Sequence, residues 1–161
     1  MGKAQIIDNS TYSGNVRVKA YNKGILYDDR IFHNTGTVNL CNYIRDCLKG
    51  ENVIARRPGY MIPCSWNANE GLIPMFSYGI LYTGTENGSD GQPNDSSSTY
   101  SLKFLIPSAI LLGKQKIEGF KLYSLGEDRS EYASVDIHLD PILLANVTNL
   151  SIEWDLKVSF K

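Results

Sequence analysis

The sequence predicts a mainly β protein: an antiparallel β-sandwich, jelly-roll-like, carrying one short α-helix. Three observations predict it. The chain closes on NLSIEWDLKVSFK, where Leu150, Ile152, Trp154, Leu156, Val158 and Phe160 alternate with Ser151, Glu153, Asp155, Lys157 and Ser159. A period of two places the whole apolar set on one face of a strand. Ten Tyr, five Phe and two Trp, with glycines scattered throughout, favour pleated, half-buried surfaces. Only one stretch keeps a helical period. At 161 residues the chain can bury a core without staples, and it reads as a single domain over 1–161 with 1–13 as an N-terminal arm.

The elements follow in order. In NVRVKAY, Val16, Val18 and Ala20 alternate with Arg17, Lys19 and Tyr21, a half-buried strand. GILYDDRIFHN is a second strand, joined to the first through the compact turn Asn22-Lys23-Gly24. The period then changes: in TVNLCNYIRDCLKG, Val38, Cys41, Ile44 and Leu48 form one apolar stripe. This predicts a helix from about Val38 to Lys49, capped by Thr37 and closed by Gly50. Cys41, Ile44 and Leu48 are expected to pack, leaving Asn42, Arg45, Asp46 and Lys49 outside. GYMIPC and IPMFSYGILYTGT are further strands around the turn NANEG. From Gly84 to Ser98 there is no apolar residue, so this stretch is expected as an exposed excursion. TYSLKFLIP, KIEGFKLYSL and YASVDIHLD are strands, the last two separated by the turn GEDRS. A short apolar linker after Asp140-Pro141 leads into the terminal strand.

Composition narrows the function. Sixteen basic residues against seventeen acidic ones give a net charge of −1, without the basic excess of a nucleic-acid binder. Arg56-Arg57 reads as a solvated turn before Pro58. No apolar run reaches membrane-spanning length, and the N-terminus has no signal-peptide core. Cys41, Cys47 and Cys64 contain no C-x-x-C pair and read as small buried hydrophobes made in a reducing compartment. The sequons at Asn9, Asn87, Asn94, Asn146 and Asn149 read as products of an Asn- and Ser-rich composition.

Chemistry is sparse. His33 and His138 both fall in predicted strands, and neither has a second histidine at metal-ligand spacing. No G-x-S-x-G elbow or phosphate loop occurs. Asp90, Asn94 and Asp95 lack the spacing of a calcium loop and read as solvated. No catalytic, cofactor-binding or metal-binding residue is expected, and no cofactor. Tyr60, Trp66, Tyr78 and Tyr82 offer rings for stacking on sugars, against the plainer reading that aromatics fill sandwich cores. The excursion is the candidate assembly element, through Glu86, Asp90, Asn94 and Asp95, because ordering a polar loop needs partners.

The order of motifs resembles small virion structural proteins of tailed bacteriophages, of the tail, baseplate or fibre-attachment type. There an apolar-Gly-Thr-Gly-like strand end precedes an Ile-x-x-x-Gly-Leu-Phe-like strand. A strand leading to Pro-Ile and a final Leu-x-Ile-x-Trp-x-Ile-x-Phe strand follow. The matching residues are Gly84 and Thr85, then Ile117, Gly119 and Leu122, then Pro141 and Ile142, and the alternating set from Leu150 to Phe160. The spacing around IEGFKLYS departs by a residue. The resemblance implies a non-enzymatic virion component made in the bacterial cytoplasm. It would be homo-oligomeric, in the tail, baseplate or head-to-tail or fibre-attachment region. Its partners would be itself and other virion proteins, with no nucleic acid and no membrane. The alternatives are a receptor- or glycan-binding sandwich module, using the excursion and the aromatics, and a small hydrolase on a β-scaffold.

Overall fold

The C-terminal alternation becomes the middle strand of a five-stranded sheet. The computed structural model describes residues 10–87 and 97–160. β1 (Ser10–Asn22) turns back into β2 (Ile25–His33). The two turn residues, Lys23 and Gly24, both have positive φ, 50° and 82°, as the hairpin turn matching strand twist requires. Next come β3 (Thr35–Gly36), helix α1 (Val38–Leu48), a 3₁₀ turn (Ile54–Arg56) and β4 (Pro58–Asn67). β5 (Gly71–Pro74), β6 (Ile80–Leu81), β7 (Gly84–Asn87) and β8 (Ser97–Pro107) follow. The one-turn helix α2 (Ser108–Leu111) precedes β9 (Lys116–Ile117), β10 (Gly119–Ser124), β11 (Glu131–Asp136), β12 (Ile142–Leu143) and β13 (Asn149–Phe160).

The first sheet runs β2-β1-β13-β8-β7, and the second runs β3-β11-β10-β4-β5 with β6 beside β4. The described ladders are antiparallel. This is a β-sandwich with one helix longer than a single turn. Its core is built in rows. Val16, Trp154 and Leu102 lie in register across three strands, as do Val18, Ile152 and Phe104, and Ala20, Leu150 and Ile106. The second sheet answers with Ala133, Leu122, Met61 and Ile80, paired in that order. All of these belong to one buried cluster. The alternation in the sequence therefore translates directly into two facing apolar layers.

Some boundaries fall elsewhere than the sequence predicts. β1 begins at Ser10, inside the stretch expected as an arm. Gly84–Asn87 pairs with β8, and Ser97 and Ser98 pair with β13, so ladders reach into both ends of the expected excursion. The stretch IPMFSYGILYTGT is divided among β5, β6 and the start of β7 rather than forming one strand. His138 lies past the end of β11, in a turn and not in a strand. The linker after Asp140-Pro141 contributes β12, which pairs with β9.

Helix α1 keeps its predicted ends. Leu40 N–H donates to Thr37 Oγ1. At the other end Gly50 has φ +79°, and Gly50 and Glu51 N–H donate to the Cys47 and Asp46 carbonyls, a Schellman closure. Its facing departs from the expectation at Cys41, Leu48 and Asp46, while Asn42, Arg45 and Lys49 are exposed as expected. Leu40 and Asp46 are buried and Tyr43 is half-buried, whereas Val38, Cys41 and Leu48 are exposed and only Ile44 is partly covered. Polar anchors decide this orientation. Thr37 Oγ1 and Asn39 Nδ2 both donate to the Glu131 carbonyl. Tyr43 packs at 5.3 Å on Tyr132, whose hydroxyl donates to Arg56 O. Asp46 is bound by Arg45 at 3.0 Å and Arg56 at 3.2 Å. The Arg45 hydrogen bond holds the Asp46 carboxyl below its ordinary range; burial opposes this and Arg56 reinforces it. Arg56 and Arg57 are therefore engaged, the latter with the Ile54 carbonyl and Tyr82 Oη.

The three cysteines divide accordingly: Cys41 and Cys47 are exposed and Cys64 is buried. Burial pushes the Cys64 thiol up to about 12, so almost none of it is thiolate at neutral pH. Under native conditions a thiol reagent is expected to modify Cys41 and Cys47 quickly, and Cys64 only after denaturant is added. Fast labelling of Cys64, or protection of Cys41, would contradict this packing.

Candidate functional site

Of the residues the sequence singles out for assembly, Glu86 lies in β7, in register with Ser101. Ser101 in turn donates to Asp155 across the ladder at 2.5 Å. Asp90, Asn94 and Asp95 lie outside the described residues.

The four aromatic candidates are dispersed, and three of them are already in use. Trp66 stacks on the His138 imidazole, with centroids 3.9 Å apart and planes within 2°. The Arg129 guanidinium sits 3.9 Å over the Tyr60 ring. Tyr82 packs against the core and its hydroxyl accepts from Arg57. Only Tyr78 is largely exposed, tilted against Phe76 at 5.5 Å. One face of both Trp66 and Tyr60 is therefore covered by a side chain of the same molecule.

What the sequence misses is a groove between β2 and the connection that follows β11. Its larger part, about 440 Å³, is lined by Phe32, Asp136, Ile137, His138, Leu139 and Asp140. A smaller part, about 320 Å³, continues past Asp140 along Tyr27, Asp28, Arg30, Pro141 and Leu143. The pairing with β1 places Asp28, Arg30 and Phe32 opposite Ala20, Val18 and Val16, and so on the inner side of β2. Arg30 ties the two walls together: it is 3.0 Å from Asp28 and 3.2 Å from Asp140. It also donates to the Asp140 and Pro141 carbonyls and lies 5.4 Å from the Phe32 ring.

At the other end the chain folds back on Asp136. Its Oδ1 accepts from the His138 backbone N–H at 3.0 Å and lies 2.6 Å from His138 Nδ1. Burial pushes the Asp136 carboxyl up, but these two hydrogen bonds and the imidazole charge outweigh it and leave the carboxyl lowered. A carboxylate on Nδ1 fixes the ring and leaves Nε2 as its other donor or acceptor. The larger part of the groove offers this oriented imidazole and two carboxylates beside an apolar wall. This arrangement can exchange hydrogen bonds with a polar group of a ligand. The sequence signal was the Asp136-x-His138 spacing, which reads as strand alternation until the strand is seen to end at Asp136.

A second surface is apolar. Val38 is 71% exposed and Leu48 79%, with Cys41 on the same outward side of α1. Among the described residues no group of acidic, histidine and cysteine side chains could hold a metal, and no helix is long and apolar enough to cross a membrane. Compared with protein families and curated proteins, the chain matches no family model and no curated sequence.

Proposed function

We propose that the chain is a non-enzymatic structural protein of a tailed bacteriophage virion. It assembles with copies of itself and with other virion proteins in the tail, baseplate or head-to-tail or fibre-attachment region. The order of motifs from Gly84 to Phe160 supports the phage assignment. One observation carries the assembly reading: the apolar stripe of α1 faces outward. A sequence that maintains Val38, Cys41 and Leu48 at helical spacing and leaves them in solvent has an apolar surface awaiting a neighbour. In a particle that neighbour is another subunit.

The test is direct. Antibodies raised against the purified chain, applied as immunogold to particles released from the host that carries the gene, should decorate virions at one fixed location. The Val38→Glu, Leu48→Glu double variant should melt within about 1 kcal/mol of wild type, since exposed changes are each worth about 0.5 kcal/mol or less. It should nevertheless be missing from purified particles. Label confined to cell debris would refute the virion reading, and retention on a glycan array would turn attention to the receptor-binding alternative.

A further inference from the structure

We propose that β2 pairs edge to edge with β2 of a second copy, about a two-fold axis at Ile31, joining two five-stranded sheets into one. This rests on the homo-oligomer reading above and adds to the outward stripe of α1 a second contact with a stated symmetry.

β2 is an edge strand of nine residues. Proteins usually blunt such edges with charged side chains, proline, bulges, short length or cover. β2 contains neither Lys nor Pro, and it leaves Ile25, Leu26, Tyr27 and Ile31 exposed. Its charges are paired within the chain, Asp28 with Arg30, Asp29 with Arg17, and Arg30 also with Asp140. The irregularity in its pairing with β1 falls at Tyr27, so residues 28–33 stay regular.

The phase of the ladder shows which backbone groups are open. Asn34 N–H donates to Gly14 O at 2.9 Å, and Gly14 and Asn34 continue the β1–β2 register by one step. Bonded and non-bonded pairs alternate in an antiparallel ladder. Phe32, Arg30 and Asp28 therefore exchange bonds with β1. Asp29, Ile31 and His33 turn their N–H and C=O groups to the open edge. No backbone bond fills that edge among the described residues. The occupant such an edge takes is an extended strand.

Charge selects the second copy and its register. With the two-fold at Ile31, Ile31 meets the partner's Ile31, and Asp29 meets the partner's His33 on both sides of it. Every open donor and acceptor of the three residues then finds a mate. With the two-fold at Asp29, two carboxylates would face each other and the irregular Tyr27 would enter the ladder. With the two-fold at His33, two imidazoles would face each other and the pairing would run off the strand. Asp29 is prepared for the first arrangement. Arg17 grips it through two hydrogen bonds, of 2.7 and 2.9 Å, within its own sheet.

The experiment uses the full chain with Cys41→Ser and Cys47→Ser. A bonded antiparallel pair sets its Cα atoms about 5.5 Å apart, within disulfide reach. Ile31→Cys should therefore oxidise to a covalent dimer, whereas Leu105→Cys, exposed on β8, should not. Ile31→Pro removes an N–H that β1 does not use, a change edge strands tolerate, and Ile31→Lys sets two ammonium groups at the axis. Both should sediment as monomers where wild type is a dimer, with unchanged melting. If the proline variant fails to fold, the lysine variant decides. A wild-type oligomer that survives Ile31→Lys, with Ile31→Cys failing to cross-link, overturns the β2 pairing and leaves the virion reading standing. A wild-type chain that is monomeric at every concentration overturns the pairing and the self-assembly reading together. Particle labelling, scored separately, decides the virion reading.

Discussion

Replacing Trp154 by alanine is expected to remove about 3–5 kcal/mol of folding stability, the usual cost of emptying a large aromatic site. The ring is fully buried and is held in register between Val16 and Leu102 at the middle of the core. Neighbouring strands on both sides prevent easy collapse of the space. The indole N–H finds no hydrogen-bond partner among the described residues, and a buried donor left unmet costs about 1–3 kcal/mol. Trp154→Phe deletes that donor while keeping most of the volume, so its loss should be small, about 1 kcal/mol. Asp155→Ala, on the opposite face, forfeits the bond from Ser101, worth about 1.5–3 kcal/mol for a charged acceptor. Urea melts of the three variants check the ordering. If phenylalanine proved as damaging as alanine at position 154, the unmet indole would play no part, and shape alone would govern the site.

The first sheet was legible in the sequence because each of its long strands carries its own signal. Val16-Val18-Ala20 and Leu150 to Leu156 alternate without interruption, and Lys23-Gly24 marks the hairpin. The helix ends were legible too, since Thr37 and Gly50 satisfy backbone groups that a helix cannot satisfy itself. Its facing was not. Periodicity reports which residues share a side but not which side meets the protein. Here that side was fixed by Thr37 and Asn39 on the Glu131 carbonyl and by Asp46 between Arg45 and Arg56. The Glu131 contacts join positions far apart in the chain, and Asp46 reads as a surface residue until Arg56, ten residues on, is beside it. The second sheet was less legible because β3, β5 and β6 are too short to show a period. The groove escaped because Arg30 and Asp140 meet only when β2 and the turn after β11 are packed together.

Position 119 carries the other large effect. Gly119→Ala is expected to cost about 1–3 kcal/mol through overpacking. Gly119 pairs with Asp136 on one side and Cys64 on the other, and the Leu72 side chain lies across it. A methyl group added there would press on Leu72 and fall 2.6 Å from the Val135 carbonyl oxygen. Leucine can rotate away. The carbonyl cannot, because Val135 is held in the ladder opposite Phe120, and moving it means shifting β11 against β10. Gly59→Ala is the comparison: the three atoms nearest its new methyl all belong to the Leu125 side chain, which a rotamer change can move, so the loss should be smaller. Leu72→Ala combined with Gly119→Ala separates the two contacts at position 119. Little recovery is expected, since the carbonyl contact persists; full recovery would assign the whole effect to Leu72. The consequence reaches the groove. β11 ends at Asp136, directly opposite Gly119, so a displaced β11 also moves the carboxylate that fixes His138 against Trp66. Quenching of Trp66 fluorescence by the stacked imidazole should therefore weaken in Gly119→Ala and persist in Gly59→Ala.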